Sequence, residues 1–141
     1  MTMMPAQLNL LNATITTAVT AATTTPITGL ARAASLAIQC NLGYGSGGTS
    51  IDVYVQTSFD GGNTWFDIAE FSMTTSNYNK AYNLTANTAV TSVTALTDGS
   101  MSANTSQSGL IGDQLRLKYT TVGTYAGSTT LVVSAVAKAG S

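Results

Sequence analysis

Histidine is absent from this 141-residue chain, cysteine occurs once, proline twice, and only 8% of the residues are charged. Each shortage excludes a class of chemistry. Without histidine there is no Ser-His-Asp or Cys-His nucleophilic system and no imidazole ligand for a metal. With Cys40 alone, neither an internal disulfide framework nor a cysteine-based zinc site can be assembled. Five basic and six acidic residues leave a net charge of −1, and they are scattered singly. Phosphate backbones and anionic membrane surfaces both call for clustered Lys and Arg, so neither nucleic acid nor membrane is an expected partner. Thr, Asn and Gly interrupt every apolar run short of the roughly 18 residues of a membrane span. The stretch from Met1 to Ala22 lacks a basic segment followed by a compact apolar one, which predicts no secretory leader and synthesis in the cytoplasm.

Hydroxyl residues stand where the charges are missing. Thr (25) and Ser (14) together fill 39 positions, and 42 large apolar residues provide for one real core without disulfide or metal support. Period-two alternation dominates. Leu36, Ile38, Cys40 and Leu42 alternate with Ser35, Ala37, Gln39 and Asn41, and Ile51, Val53 and Val55 alternate with Asp52, Tyr54 and Gln56. Such alternation marks half-buried strands. Further strands are expected within Ala13–Thr24, over Trp65–Phe71 with a bulge, over Tyr78–Leu84, weakly over residues 88–96, and over Leu115–Tyr119 and Leu131–Ala137. The expectation is an all-β, jelly-roll-like β-sandwich of about eight antiparallel strands. Residues 13–141 would form the single domain, and residues 1–12 an N-terminal arm with Leu8, Leu10 and Leu11 as apolar anchors.

Gly43, Gly45 and Gly48 have the spacing of a dinucleotide-binding loop, but that loop must open a helix, and here a strand follows. The sharper motif is Ser58-Phe59-Asp60-Gly61-Gly62-Asn63-Thr64-Trp65, which fits the Asp-box pattern Ser/Thr-x-Asp-x-Gly-x-Thr-Trp/Phe at every defined position. The residues have mechanical roles. Asp60 accepts hydrogen bonds from the turn, Gly62 permits a positive φ, and Trp65 is expected to return to the core, with Ser58 and Thr64 completing the hairpin. The motif resembles the Asp-box hairpins of sialidases and other β-propellers. One copy in a chain this short makes no propeller, and no catalytic residue carries over.

Among the carboxylates, Asp60, Asp67, Glu70, Asp98 and Asp113 are the candidates for a glycosidase pair, whose members stand roughly 5 to 10 Å apart. Asp67 and Glu70 read more simply as solvated edge charges that discourage aggregation. A calcium site from Asp60, Asn63 and Asp67 lacks the ligand spacing of an EF-hand loop. Cys40, in phase with its apolar neighbours, reads as a buried small hydrophobe. Tyr78 and Tyr82 share a strand face with Lys80 and suit either a sugar-stacking platform or packing. The segment from Asp98 to Gly112 is a long loop of a kind that is uncommon unless it binds something or wanders. No catalytic, cofactor or metal residue is assigned, and the chain is not expected to be an enzyme.

Residues 23–71 and 112–138 resemble small virion proteins from the structural gene clusters of tailed phages and prophages. The resemblance lies in a strand, a Gly-rich turn, the Asp-box hairpin, a Gly-Asp-x-Leu-Arg strand and a Gly-Thr-Tyr-Ala-Gly turn. It implies a capsid decoration, or cement, protein on the surface of the virion. Such a protein contacts the major capsid protein and neighbouring virion subunits and is often a homo-oligomer such as a trimer. Leu8, Leu10, Leu11, Tyr78 and Tyr82 would then be partner contacts, and removing residues 1–12 would weaken attachment while leaving the fold intact. The rival readings are a carbohydrate- or host-surface-binding module and a tail-associated subunit. Depletion of charge also resembles the composition of interface cores. It places the missing charges at interfaces and the eleven present ones on loops and edges.

Overall fold

In a computed structural model, residues 6–139 are described, and all regular structure among them is β. Ten strands run in the order β1 (Ala6–Thr14), β2 (Val19–Thr23), β3 (Ala33–Gly43), β4 (Ser46–Gly47), β5 (Ser50–Ser58), β6 (Phe66–Met73), β7 (Tyr78–Thr85), β8 (Gln114–Val122), β9 (Tyr125–Ala126) and β10 (Thr130–Ala139). Sheet I has the order β1-β10-β3-β7, sheet II has β2-β8-β5-β6, and β4 pairs with β9. All pairings are antiparallel. The long strands alternate between the two sheets along the chain, except that β5 and β6 form a hairpin within sheet II.

The alternation in the sequence becomes the two faces of each sheet. Leu36, Ile38, Cys40 and Leu42 of β3 and Leu131, Val133, Ala135 and Ala137 of β10 turn inward. They meet Ile51, Val53 and Val55 of β5, Leu115 and Leu117 of β8, and Phe66, Ile68 and Phe71 of β6 in one buried core. Two half-buried sheets sharing a core make a sandwich, as expected. Burying a side chain of Leu or Phe size stabilises by about 1.5–3 kcal/mol, so this layer supplies the main driving force for the fold. The bulge expected near Trp65–Phe71 lies in β6, where the pairing with β5 slips between Val55 and Gln56.

Two expectations about the strands are corrected. The supposed arm is strand from Ala6 onward. β1 pairs with β10 from Ala6↔Ala137 to Thr14↔Thr130, and a bulge at Leu10 keeps Leu8, Leu10 and Leu11 turned toward the core. Those leucines are therefore packed within the domain. Residues 1–5 of the arm lie outside the described residues. No strand forms over residues 88–96, where Val90, Val93 and Leu96 stay exposed because no neighbouring strand lies in register to cover them. The Gly-rich turn after β3 is held, since Tyr125 lies buried beneath it, edge-on to Tyr44 at 6.2 Å and bonded through its hydroxyl to the Thr74 carbonyl at 2.8 Å.

Candidate functional site

The Asp-box hairpin joins β5 to β6, and its local chemistry follows the motif. Asp60 Oδ1 accepts from the Thr64 amide at 2.9 Å, and Oδ2 accepts from the Thr64 hydroxyl at 2.7 Å. The Ser58 hydroxyl donates to Asp60 Oδ1 at 2.8 Å and accepts from the Gly62 amide at 2.9 Å. Gly62 sits at φ +96°, the left-handed region that glycine enters without a steric penalty. The Thr64 hydroxyl and amide, together with Ser58, stabilise the ionised carboxylate and hold Asp60 at about 2. With its oxygens committed to the turn, Asp60 is a structural residue, and no calcium set with Asp67 forms because Asp67 is bonded elsewhere.

Trp65 does not enter the core. Its indole N–H donates to the Gly62 carbonyl at 3.0 Å, and its ring lies beneath the Arg116 guanidinium at 4.4 Å on the outer face of sheet II. Phe66 takes the inward position instead, because strand alternation sends neighbouring side chains to opposite faces. Phe59, 57% exposed at the hairpin tip, lies against Phe66 at 4.8 Å.

Asp67 and Glu70 are not solvated edge charges: they are 5% and 1% exposed. They face outward from β6, the edge strand of sheet II, but residues 97–107 run alongside as a strap. The strap exchanges backbone hydrogen bonds with β6 at Asp67, Ile68 and Glu70. Asp67 accepts from the amides of Gly99, Ser100 and Met101, from the Thr97 hydroxyl and from the Gln56 amide, all within 2.8–3.1 Å. Glu70 accepts from the Asn104 amide at 2.8 Å. The long loop is thus pinned over part of its length by two carboxylates, and it covers a sheet edge that would otherwise offer unpaired backbone groups.

A third carboxylate, missed in the sequence, completes this face. The Ser72 hydroxyl lies 2.8 Å from both Asp52 Oδ1 and Glu70 Oε1, so Asp52 and Glu70 adjoin across the β5–β6 pair. Burial, reinforced by Asp52, pushes Glu70 up to about 7 against the opposing help of Asn104 and Ser72. The signal lay in hairpin register, which sets Asp52 opposite Ser72. A close carboxyl pair with one raised member suits acid–base chemistry in principle. Here Glu70 is covered by the strap and 1% exposed, whereas Asp52 is half-buried. Beside it, Gln56 bonds Asp67, Asp98 and Arg116, and Lys118 pairs with Asp98 at 2.9 Å.

Six of the eleven charged residues, Asp52, Asp67, Glu70, Asp98, Arg116 and Lys118, therefore gather on the outer face of sheet II and its strap. The expected placement on loops and exposed edges holds for Asp98, on the strap, but not for Asp52, Arg116 and Lys118, on the inner strands β5 and β8, nor for Asp67 and Glu70, which lie on an edge strand but are buried. The outer face of sheet I has the opposite character. Its cross-strand rows read Gln7–Val136–Ala37–Asn83, Asn9–Ser134–Gln39–Ala81 and Asn12–Val132–Asn41–Asn79, with Lys138 as the charge at one end. A shallow groove of about 280 Å³ crosses this face, lined by Gln7, Ala37, Gln39, Ala81, Ser134 and Val136 among others.

No protein-family model and no curated protein matches this chain. The remaining sequence candidates fall into packing roles. Tyr78 and Tyr82 are half-buried against Phe71 at 6.3 and 4.9 Å, and their hydroxyls bond Asn104 and the Glu70 carbonyl. Lys80 lies 5.0 Å from the Tyr78 ring. Committed to the sandwich and the strap, these rings form no open stacking platform. Cys40 is fully buried, and burial, with Glu70 nearby, pushes its thiol up to about 12, which makes it an inert packing residue.

Proposed function

We propose that this chain is a non-enzymatic virion structural protein, a capsid decoration (cement) protein that stabilises a tailed-phage head by binding the major capsid protein and its neighbours. The observation that carries the reading is the segregation of charge between the two outer faces. Sheet I presents a broad face of carboxamides, hydroxyls and small aliphatics with one charge, and depletion of charge is a mark of surfaces covered by protein. The resemblance of residues 23–71 and 112–138 to small phage virion proteins points the same way.

Strand order adds support. With the two-residue strands left out and the eight long ones renumbered in sequence, the sheets read 1-8-3-6 and 2-7-4-5. We read this order as a jelly roll, an architecture used by capsid and lectin domains. This is an analogy of fold, and the role itself rests on the surface. A glycan-binding module is the second reading, favoured by the amide-lined groove, whose Gln7, Gln39 and Ser134 suit hydroxyl groups. It lacks an aromatic ring on that face.

The deciding experiment adds purified protein to phage heads stripped of accessory proteins and locates it by electron microscopy. Ordered density on the head lattice is the expected result. Density confined to the tail, or no binding together with capture of a glycan by the monomer, would refute the proposal.

A further inference from the structure

We infer that the outer face of sheet I is a self-association face, which packs against the same face of a second copy about a twofold axis. The inference deepens the proposed role and draws only its biological setting from that role, because association of the isolated protein can be measured without any particle. In a twofold interface each residue near the axis meets its own copy. A charged side chain there meets its like, whereas a carboxamide carries both donor and acceptor and can satisfy itself. This face has that composition at its centre. Gln39 lies in the middle row between Ser134 and Ala81, its amide donates to Asn79 at 2.7 Å, and the face's one charge, Lys138, sits at its end.

Shape and area agree with pairing. Val136, 37% exposed, is the large aliphatic that projects most from this face. It forms part of the rim of the groove, whose lining also includes the small residues Ala37, Ala81 and Ser134. Knob and hollow on one surface are what a self-complementary contact requires. Four strands at ~4.8 Å spacing and about nine residues at ~3.3 Å rise give roughly 570 Å² per copy, or ~1,100 Å² for the pair. That is at the small end of specific interfaces, so the pair should be concentration-dependent in solution and reinforced when many copies are held together. A face-to-face pair closes at two copies, which makes the building unit a dimer and not a trimer.

Sedimentation velocity on the whole chain, from about 1 µM to ~1 mM, tests this. The unaltered protein should pass from monomer to dimer. Gln39→Glu and Gln39→Lys, at an exposed strand position, should each weaken self-association by about tenfold or more through like-charge repulsion, and an equimolar mixture of the two should restore it. Ala81→Glu serves as a second probe, and a urea midpoint matching the parent shows that each variant is folded. A monomer throughout the range, a trimer, or a dimer indifferent to all three variants would overturn the inference. Failure to bind phage heads would leave a measured dimer standing and count only against the virion role.

Discussion

Replacing Asp67 by alanine should detach the strap and lower the stability of the whole domain. Five donors converge on this one carboxylate: three consecutive strap amides, the Thr97 hydroxyl and the Gln56 side chain. Hydrogen bonds to a charged acceptor each contribute about 1.5–3 kcal/mol, so full orphaning of five donors would be comparable to the total stability of a typical domain. The protein has a cheaper response. Ser100 is exposed and Gly99 and Met101 are half-exposed, so their amides can turn to water if the strap lifts, whereas Gln56 is fully buried and cannot follow. The expected loss is therefore about 2–4 kcal/mol, the scale of an uncompensated buried polar partner plus the lost strap contacts. Urea denaturation would measure the global change, and hydrogen exchange would show residues 99–104 losing protection before β3 and β10 do. Asp67→Asn, which keeps the shape but turns an N–H group toward the same donors, should fall between the parent and the alanine variant. A stability change below about 1 kcal/mol with strap amides still protected would refute the carboxylate as the anchor.

Other perturbations read other parts of the molecule. Because Glu70 is raised from an ordinary 4.5 to about 7, the folded state holds a proton that the unfolded state releases in that window. Stability should thus fall as pH rises from about 4.5 through 7, and Glu70→Gln should flatten that slope in urea titrations at several pH values. Asp60, depressed to about 2, has the opposite sign: its contribution is present above its ordinary 3.8 and is lost as pH falls toward 2. Asp60→Ala should accordingly lower the protection factor of the Thr64 amide at neutral pH to the value the parent reaches only in strong acid, once intrinsic exchange rates are divided out. Leu10→Ala, in what the sequence presented as a dispensable arm, should cost about 2–4 kcal/mol because Leu10 belongs to the core, and an unchanged melting temperature would contradict that placement.

How legible each part was depended on the range of its interactions. β3, β5, β8 and β10 stood out because one face of each is buried, and strict alternation is the imprint of that burial, whereas β7 showed through the alternation of Tyr78, Tyr82 and Leu84, of which only Leu84 is buried. The Asp-box turn was equally legible, since its bonds link residues at most four positions apart. Long-range contacts left no such imprint. Asp67 and Glu70 resemble ordinary edge charges until a strap 30 residues later in the chain is laid over them. Leu8, Leu10 and Leu11 lose their alternation at a bulge and so looked like an unstructured anchor. Residues 88–96 have the β-branched composition of a strand, but composition cannot supply the missing neighbour.

The position of β10 has a consequence for the order of events during synthesis. It lies between β1 and β3, so sheet I has a gap at its centre until residues 130–139 have left the ribosome. Strand β1 pairs with β10 alone in sheet I and must wait for a partner made more than 100 residues later. Topologies closed by distant strands fold slowly and only as a unit. Until that last strand inserts, β3 is unpaired on one side and the inner faces of both sheets are incompletely covered. The outer face of sheet I likewise does not exist as a continuous surface before then. Folding and the completion of that face are thus the same late step, so a chain cut short before β10 would have neither a closed core nor a continuous sheet I.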